Sequence, residues 1–310
     1  MNLTGLGVVF AGGAGVPALR GALASGVPPA AVPYGREGVP ALAVPAAALA
    51  GNPLLAPARR ADRFCKLAMA AALEAWEGCP ADPARVGIIL ATAFGPHATV
   101  FRFVNDMLDF GDAKASPTIF SQSVHAAAAS MIASAAKIRG PVLNLADLAL
   151  PFEEALALAG CWLEEGRCDA VLAGAADELS DVLAHVVRRF WGDRFVPGEG
   201  AAFFRLERTG GARLALGCEV APGAALRLVN EGGLGADVPV ECDAAGAEAP
   251  PGALTPFWGS TRLGAAFYLA AAEVMRRDGR LLPGGAPLTD GRIEVLSACG
   301  LRRRVIALGE

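Results

Sequence analysis

Apolar and polar positions along the chain mark out short alternating elements. Leu3 to Phe10 is rich in β-branched residues and bounded by glycines, which predicts a strand running into a loop at Ala11-Gly-Gly. The Pro/Ala-rich stretch from Val16 to Pro57 holds too many prolines for a long regular element and predicts a surface excursion with short helical pieces. From Arg59 to Gly78, Phe64, Leu67, Ala68, Ala71 and Ala75 recur at helical spacing, with Gly78 and Pro80 as the stop. Val86 to Thr92 is a continuous apolar run, the mark of a strand covered on both faces.

The alternation continues with a small-residue helix over Ser121 to Arg139, a strand over Pro141 to Ala146, a helix over Leu150 to Glu165 and a strand over Asp169 to Ala175. A helix over Ser180 to Trp191 follows, and Gly198 to Arg208 turns into a strand. This order predicts an α/β sheet with helices on its faces. Thr209-Gly210-Gly211 reads as a seam. Beyond it lie strands near Leu214 to Val220 and Ala225 to Val229, a loop rich in Gly, Asp and Pro, a helix from Gly259 to Arg277, and a strand pair at Ile293 to Ala298 and Arg304 to Leu308. Two α/β halves, 1–208 and a reduced 209–310, are compatible with this layout.

Composition narrows the function classes. Net charge is −4 over 310 residues with both signs scattered, so there is no basic footprint for nucleic acid and no polybasic anchor for lipid. Every apolar run breaks before the roughly 18 residues of a membrane span. Met1 to Gly15 has no positive leader and is too glycine-rich for a signal-peptide core, so a cytoplasmic location is expected. The cysteines at 65, 79, 161, 168, 218, 242 and 299 are odd in number and never form Cys-x-x-Cys, which predicts reduced, buried thiols and no zinc site. His97, in a loop after Phe94-Gly-Pro, His125 and His185 lie too far apart in sequence to suggest a metal centre.

Several strings together resemble the β-ketoacyl synthase family of the thiolase fold. Arg59-Arg-Ala-Asp-Arg-Phe resembles the start of that family's first long helix, Cys168-Asp-Ala-Val-Leu-Ala-Gly-Ala the strand after its nucleophile helix, and Gly198-Glu-Gly-Ala the turn closing its first half. Ser116-Pro-Thr-Ile-Phe-Ser-Gln-Ser-Val-His resembles the chain-length-factor-like branch. Members of that branch pair with a catalytic ketosynthase in type II polyketide or aryl-polyene-type pathways. The resemblance runs from Leu3 to Arg208 and weakens in a shortened last third.

The family's chemistry needs a thiolate at a helix N-terminus, two histidines that polarise a malonyl thioester, and a lysine. In this sequence Ala149 stands at the nucleophile position, in Gly140-Pro-Val-Leu-Asn-Leu-Ala-Asp-Leu-Ala-Leu-Pro. Val229-Asn-Glu-Gly-Gly puts Gly232 at the first histidine, and Gly259-Ser-Thr-Arg-Leu-Gly-Ala-Ala puts Ser260 or Thr261 at the second. Cys161, twelve positions beyond Ala149, is roughly 18 Å along a helix and cannot substitute. Pro151, Glu153 and Glu154 suit the first turn of a helix, and those carboxylates would disfavour a thiolate.

The resemblance therefore implies a non-catalytic subunit with no cofactor. Its expected partners are a cysteine-bearing ketosynthase in a heterodimer, or a second copy of itself, together with an acyl-carrier protein. In the resembled fold the helix at Ser121 to Lys137 lies near the dimer axis and the strand at Pro141 to Ala146 pairs across it. Ile119, Phe120, Val124, His125 and Met131 are then candidates for an acyl tunnel or interface, with His125 as an interface hydrogen-bonding residue. Arg302, Arg303 and Arg304 are candidates for carrier docking, or alternatively a solvated strand edge. The enzyme-class alternative is an acyltransferase or malonyl-carrier decarboxylase using other residues; the third is a homodimer that binds acyl groups or carrier without catalysis.

Overall fold

A computed structural model describes residues 1–192, 195–217, 226–230, 253–282, 287–288, 292–299 and 302–309. Strand β1 (Asn2–Phe10) turns through β2 (Gly13–Ala14) into helix α1 (Val16–Ser25), the hairpin β3 (Val32–Tyr34) and β4 (Val39–Ala41), and α2 (Ala46–Ala50). Next come α3 (Arg63–Trp76), β5 (Val86–Thr92), α4 (His97–Phe110), α5 (Pro117–Gln122), α6 (Ala126–Ala136), β6 (Val142–Ala146) and α7 (Pro151–Glu164). The order continues with β7 (Ala170–Asp177), α8 (Asp181–Trp191), β8 (Gly200–Glu207), β9 (Ala212–Gly217) and β10 (Leu226–Asn230). It closes with α9 (Thr255–Trp258), α10 (Gly264–Asp278), β11 (Ile293–Cys299) and β12 (Arg302–Gly309).

The main sheet runs β10-β11-β12-β9-β1-β8-β7-β5-β6. Read outward from its centre, β1-β8-β7-β5 and β9-β12-β11-β10 repeat one pattern: antiparallel, antiparallel, parallel. The two sets meet where Asn2 pairs with Arg213 and Leu3 with Ala212. The second set is abridged. Residues 11–85 separate β1 from β5, whereas only residues 218–225 separate β9 from β10, a link too short for a counterpart of α3. Among the described residues β6 also has no counterpart.

Burial follows from this repetition. Helices α3 and α6 cover one face of the first set, where Phe64, Leu67, Ala68 and Ile132 pack with Ile88, Leu90, Leu172 and Phe203. Helices α7 and α10 lie inside the molecule, where Phe152, Leu156, Phe267 and Leu269 join side chains of both sets, Val171 and Phe204 from one, Val295 and Ile306 from the other. Strand β5, paired on both sides and covered on both faces, is buried throughout, as its unbroken apolar run predicts. Gly7 lets β1 approach α3 closely, since a Cβ there would lie 2.0 Å from the Ala71 carbonyl oxygen.

Four expectations are corrected. The single helix over Ser121 to Arg139 is two helices, α5 and α6, interrupted at residues 123–125. The buried Gln122 carboxamide turns inward, accepting from the Asp62 amide at 2.6 Å and donating to the Arg60 carbonyl at 3.1 Å, and Lys137 stops α6 in the left-handed conformation. Helix α3 starts at Arg63 and not Arg59, because the Asp62 carboxylate caps the Cys65 amide at 2.8 Å. His97 opens a helix, α4, in a stretch read as loop. Cys161, expected to be buried, is exposed on α7; Cys65 and Cys168 are buried thiols.

Candidate functional site

The turn between β6 and α7 holds Ala149, half-buried, with Leu148 turned to solvent at 56% exposure. Asp147 closes this turn. Its Oδ1 accepts from the Ala149 amide at 3.2 Å and its Oδ2 from the Leu150 amide at 3.1 Å. Amides that could stabilise an anion at the helix N-terminus are thus held by a resident carboxylate. Pro151 follows at the first helical position, where no N–H is needed.

One turn into α7, Glu153 is 1% exposed and its Oε1 has no hydrogen-bond partner. Burial pushes its carboxyl up to about 7, against the Ser297 hydroxyl and its own backbone amide, which favour the ionised form. Ser297, on β11, accepts from Asn230 Nδ2 on β10 at 3.4 Å. The start of α10 presses on that carboxamide: a Cβ on Gly264 would lie 2.2 Å from Asn230 Oδ1. The next residue, Glu154, takes Arg304 Nη2 of β12 at 3.0 Å. Carboxyl-terminal ends of two parallel strands and the amino ends of two buried helices therefore converge here.

Thr261 is buried just before α10, its Oγ1 accepting from the Leu263 amide at 3.2 Å and its carbonyl from Gly264 at 3.3 Å. Ser260 ties its amide to the Val196 carbonyl at 2.7 Å. Gly232 lies outside the described residues, as do the side chains of Arg302 and Arg303. In sequence Glu153 reads as a helix-start acid that disfavours a thiolate; its burial by a strand over 140 positions away leaves no local signal.

The interface candidates fall on neighbouring elements. Phe120 is exposed on α5 and its ring lies 5.4 Å from that of Phe103 on α4; Ile119 is half-buried. Val124 and His125 are exposed, the His125 ring lying over Gly95, while Met131 packs against the core under α6. Among the described residues, strand β6 ends the sheet with an open edge, and its Val142 is exposed. Helix α4 buries no residue and exposes Phe101, Val104, Leu108 and Phe110.

A second polar cluster, unread in the sequence, lies at the roots of α3, α4 and β8. Glu199 is buried and paired with Arg63, whose Nε donates to Oε2 at 2.8 Å. Nearby, Glu178 is pushed up to about 8 by burial and by the Asp62 and Glu199 charges. His97 is lowered by burial, with Nδ1 against the Gly95 carbonyl at 3.1 Å. An open cleft of about 770 Å³ separates α4 from α8 beneath the β3–β4 turn, where His185 meets Glu37 at 2.6 Å; none of the predicted site residues lines it.

Residues 42–187 match the family model of the β-ketoacyl synthase N-terminal domain. That segment is ketosynthase-like in sequence. The whole chain has a thiolase-type fold, similar to solved ketosynthase structures along nearly its full length. It is similar to the ishigamide ketosynthase/chain length factor at 16% identity and a TM-score of 0.73, over 99% of this chain and 98% of that one. A ketosynthase (ApeO) in complex with its chain length factor (ApeC) from Xenorhabdus doucetiae gives 14%, 0.74, and coverages of 99% and 97%. A type II polyketide synthase acyl-carrier protein in complex with its ketosynthase bound to the hexaketide (AntDE:AntF) gives 14%, 0.72, 99% and 98%. No curated protein matches the sequence. Among the described residues, no helix is long and apolar enough to cross a membrane.

Proposed function

We propose that this chain is a non-catalytic, chain-length-factor-like subunit that pairs with a cysteine-bearing ketosynthase and helps shape its acyl pocket. The observation that carries the reading is the β6–α7 turn: Ala149 offers no nucleophile, and Asp147 already holds the amides that a thiolate would use. The similar structures in which a ketosynthase is found with a chain length factor or a carrier protein support it. In this reading the chain divides at 208/209, works in the cytoplasm, and serves type II polyketide, aryl-polyene-type or fatty acid synthesis on an acyl-carrier protein.

The open β6 edge is the pairing surface. An unpaired edge strand presents a row of free N–H and C=O groups, and the exposed apolar residues of α4, α5 and Val124 extend that surface. Arg304 contributes to carrier docking only indirectly, since Glu154 holds it. Arg59 and Lys66, which line a cleft of about 610 Å³ and have no acidic partner among the described residues, are a second basic surface for an acidic carrier.

The test is the native mass of the tagged protein from its own host, with each co-purifying chain identified. A one-to-one complex with a ketosynthase that retains its cysteine is expected. A homodimer with no such partner, or decarboxylation of a malonyl carrier by the isolated chain, would overturn the reading.

A further inference from the structure

Glu153 joins the two strand sets just after the β6–α7 turn. It sits on the first turn of α7, it is 1% exposed, and one of its oxygens has no partner. Beside it stands the neutral Ser297 of β11, which in turn accepts from the neutral Asn230 at the end of β10. The first turns of α10, from Gly264 to Ala272, carry no charge. Among the described residues, the charges that bear on it are Glu154 on its own helix and Arg304 on β12. These two already hold each other at 3.0 Å.

A neutral carboxyl fits such a place; a charged one does not. An ion without a dedicated counter-charge in a dry site must be hydrated or expelled. The segment able to yield is the turn before it. Residues 147–150 have no regular structure, Leu148 is in solvent, and the turn is tied by the Asp147 carboxylate with bonds of 3.1 and 3.2 Å and by the Asp147 amide on the Thr92 carbonyl at 3.2 Å.

We propose that Glu153 is a proton-operated clasp: neutral, it closes the β6–α7 turn against the ends of β10 and β11, and ionised, it loosens that turn. The closed clasp holds the first turn of α7 to the C-terminal strands; the open one frees Leu148 and Ala149 to move and lets water reach the junction. Its position near neutrality, pushed there by burial, makes the clasp responsive to ordinary changes of pH. The inference holds with or without a ketosynthase partner, and the native mass tests that reading separately.

The experiment is amide hydrogen exchange of residues 148–155 in the full chain from about pH 5 to about pH 8, corrected for intrinsic exchange chemistry, in wild type and Glu153→Gln. A carboxyl that is neutral when closed and ionises freely when open raises the opening constant by up to about tenfold per pH unit until the closed form itself ionises. Wild type is therefore expected to open at least about tenfold more at the upper end of the range than at the lower, and Glu153→Gln to stay level. Ser297→Ala keeps the carboxyl but removes a group that favours its ionised form, so its rise should continue to higher pH than in wild type. Parallel profiles in wild type and Glu153→Gln, or a Ser297→Ala profile identical to wild type, would overturn the clasp.

Discussion

The amide of Ala98 donates to Glu178 Oε1 at 3.0 Å, and with the Thr99 hydroxyl on Asp62 Oδ2 at 2.7 Å it fastens the root of a helix that buries none of its residues. Helix α4 is thus held by polar bonds at one end while its apolar residues face outward. That arrangement suits an element whose covering comes from another chain.

Glu178 makes the hold pH-dependent. Its carboxyl is pushed up to about 8 in the folded protein, above its unfolded value, so the folded state binds an extra proton between the two. The stabilisation is complete below the unfolded value and is lost as pH rises towards about 8, by an amount on the order of a few kcal/mol. Glu178→Gln keeps an oxygen for the Ala98 amide and removes the titration. Thermal midpoints across pH should fall less steeply in this variant than in wild type.

Arg63→Met should be among the most damaging single changes. It leaves Glu199 buried without its cation, a loss of about 3–5 kcal/mol, and deprives the Val44 carbonyl of its 2.7 Å donor. Urea titration should show a midpoint well below that of wild type with little change in slope.

Gly198→Ala tests the crossing of three segments. Gly198 bridges Leu42, its neighbour Pro197 bridges Ser260, and a Cβ would come to 1.8 Å from the Trp258 carbonyl oxygen. No side-chain rotation relieves a clash with backbone, so a destabilisation of about 2 kcal/mol or more is expected, read as a lowered thermal midpoint.

Placing a sulfur in the β6–α7 turn should not produce condensation. In Ala149→Cys the thiol would sit beside Asp147, with Glu153 and Glu154 one turn on, and would lack the usual help of free amides. Alkylation at neutral pH should be no faster than that of free cysteine, and acyl transfer from a carrier thioester should remain at background. Rapid acylation would show that the turn is still a working nucleophile site.

The sequence revealed the strands well because their burial is written locally. Val86 to Thr92 is apolar at every position, and sheet pairing on both sides demands that. The β6–α7 turn that holds Ala149 was legible for the same reason, since it sits between an apolar strand and a Pro-Glu-Glu helix start. Helix α4 was missed because its apolar residues Phe101, Val104 and Leu108 fit a helix face with no core in this chain to bury it; the spacing and Gly111 at its end were the available signals. Glu153, Glu178 and Glu199 look like surface acids in sequence. They are buried by elements distant in the chain, which single-sequence patterns do not record.

The abridged link at 218–225 bears on how the chain is made. The cluster between α3, α6 and the first strand set draws only on residues from Val9 to Phe203, so it can close once the ribosome has delivered β8. The cluster around α7 instead requires α10, β11 and β12, which emerge last. Until then α7 keeps an apolar side waiting for the C-terminal strands, and a nascent chain stalled after β8 would be half finished in the literal sense: sealed outside, open at its centre.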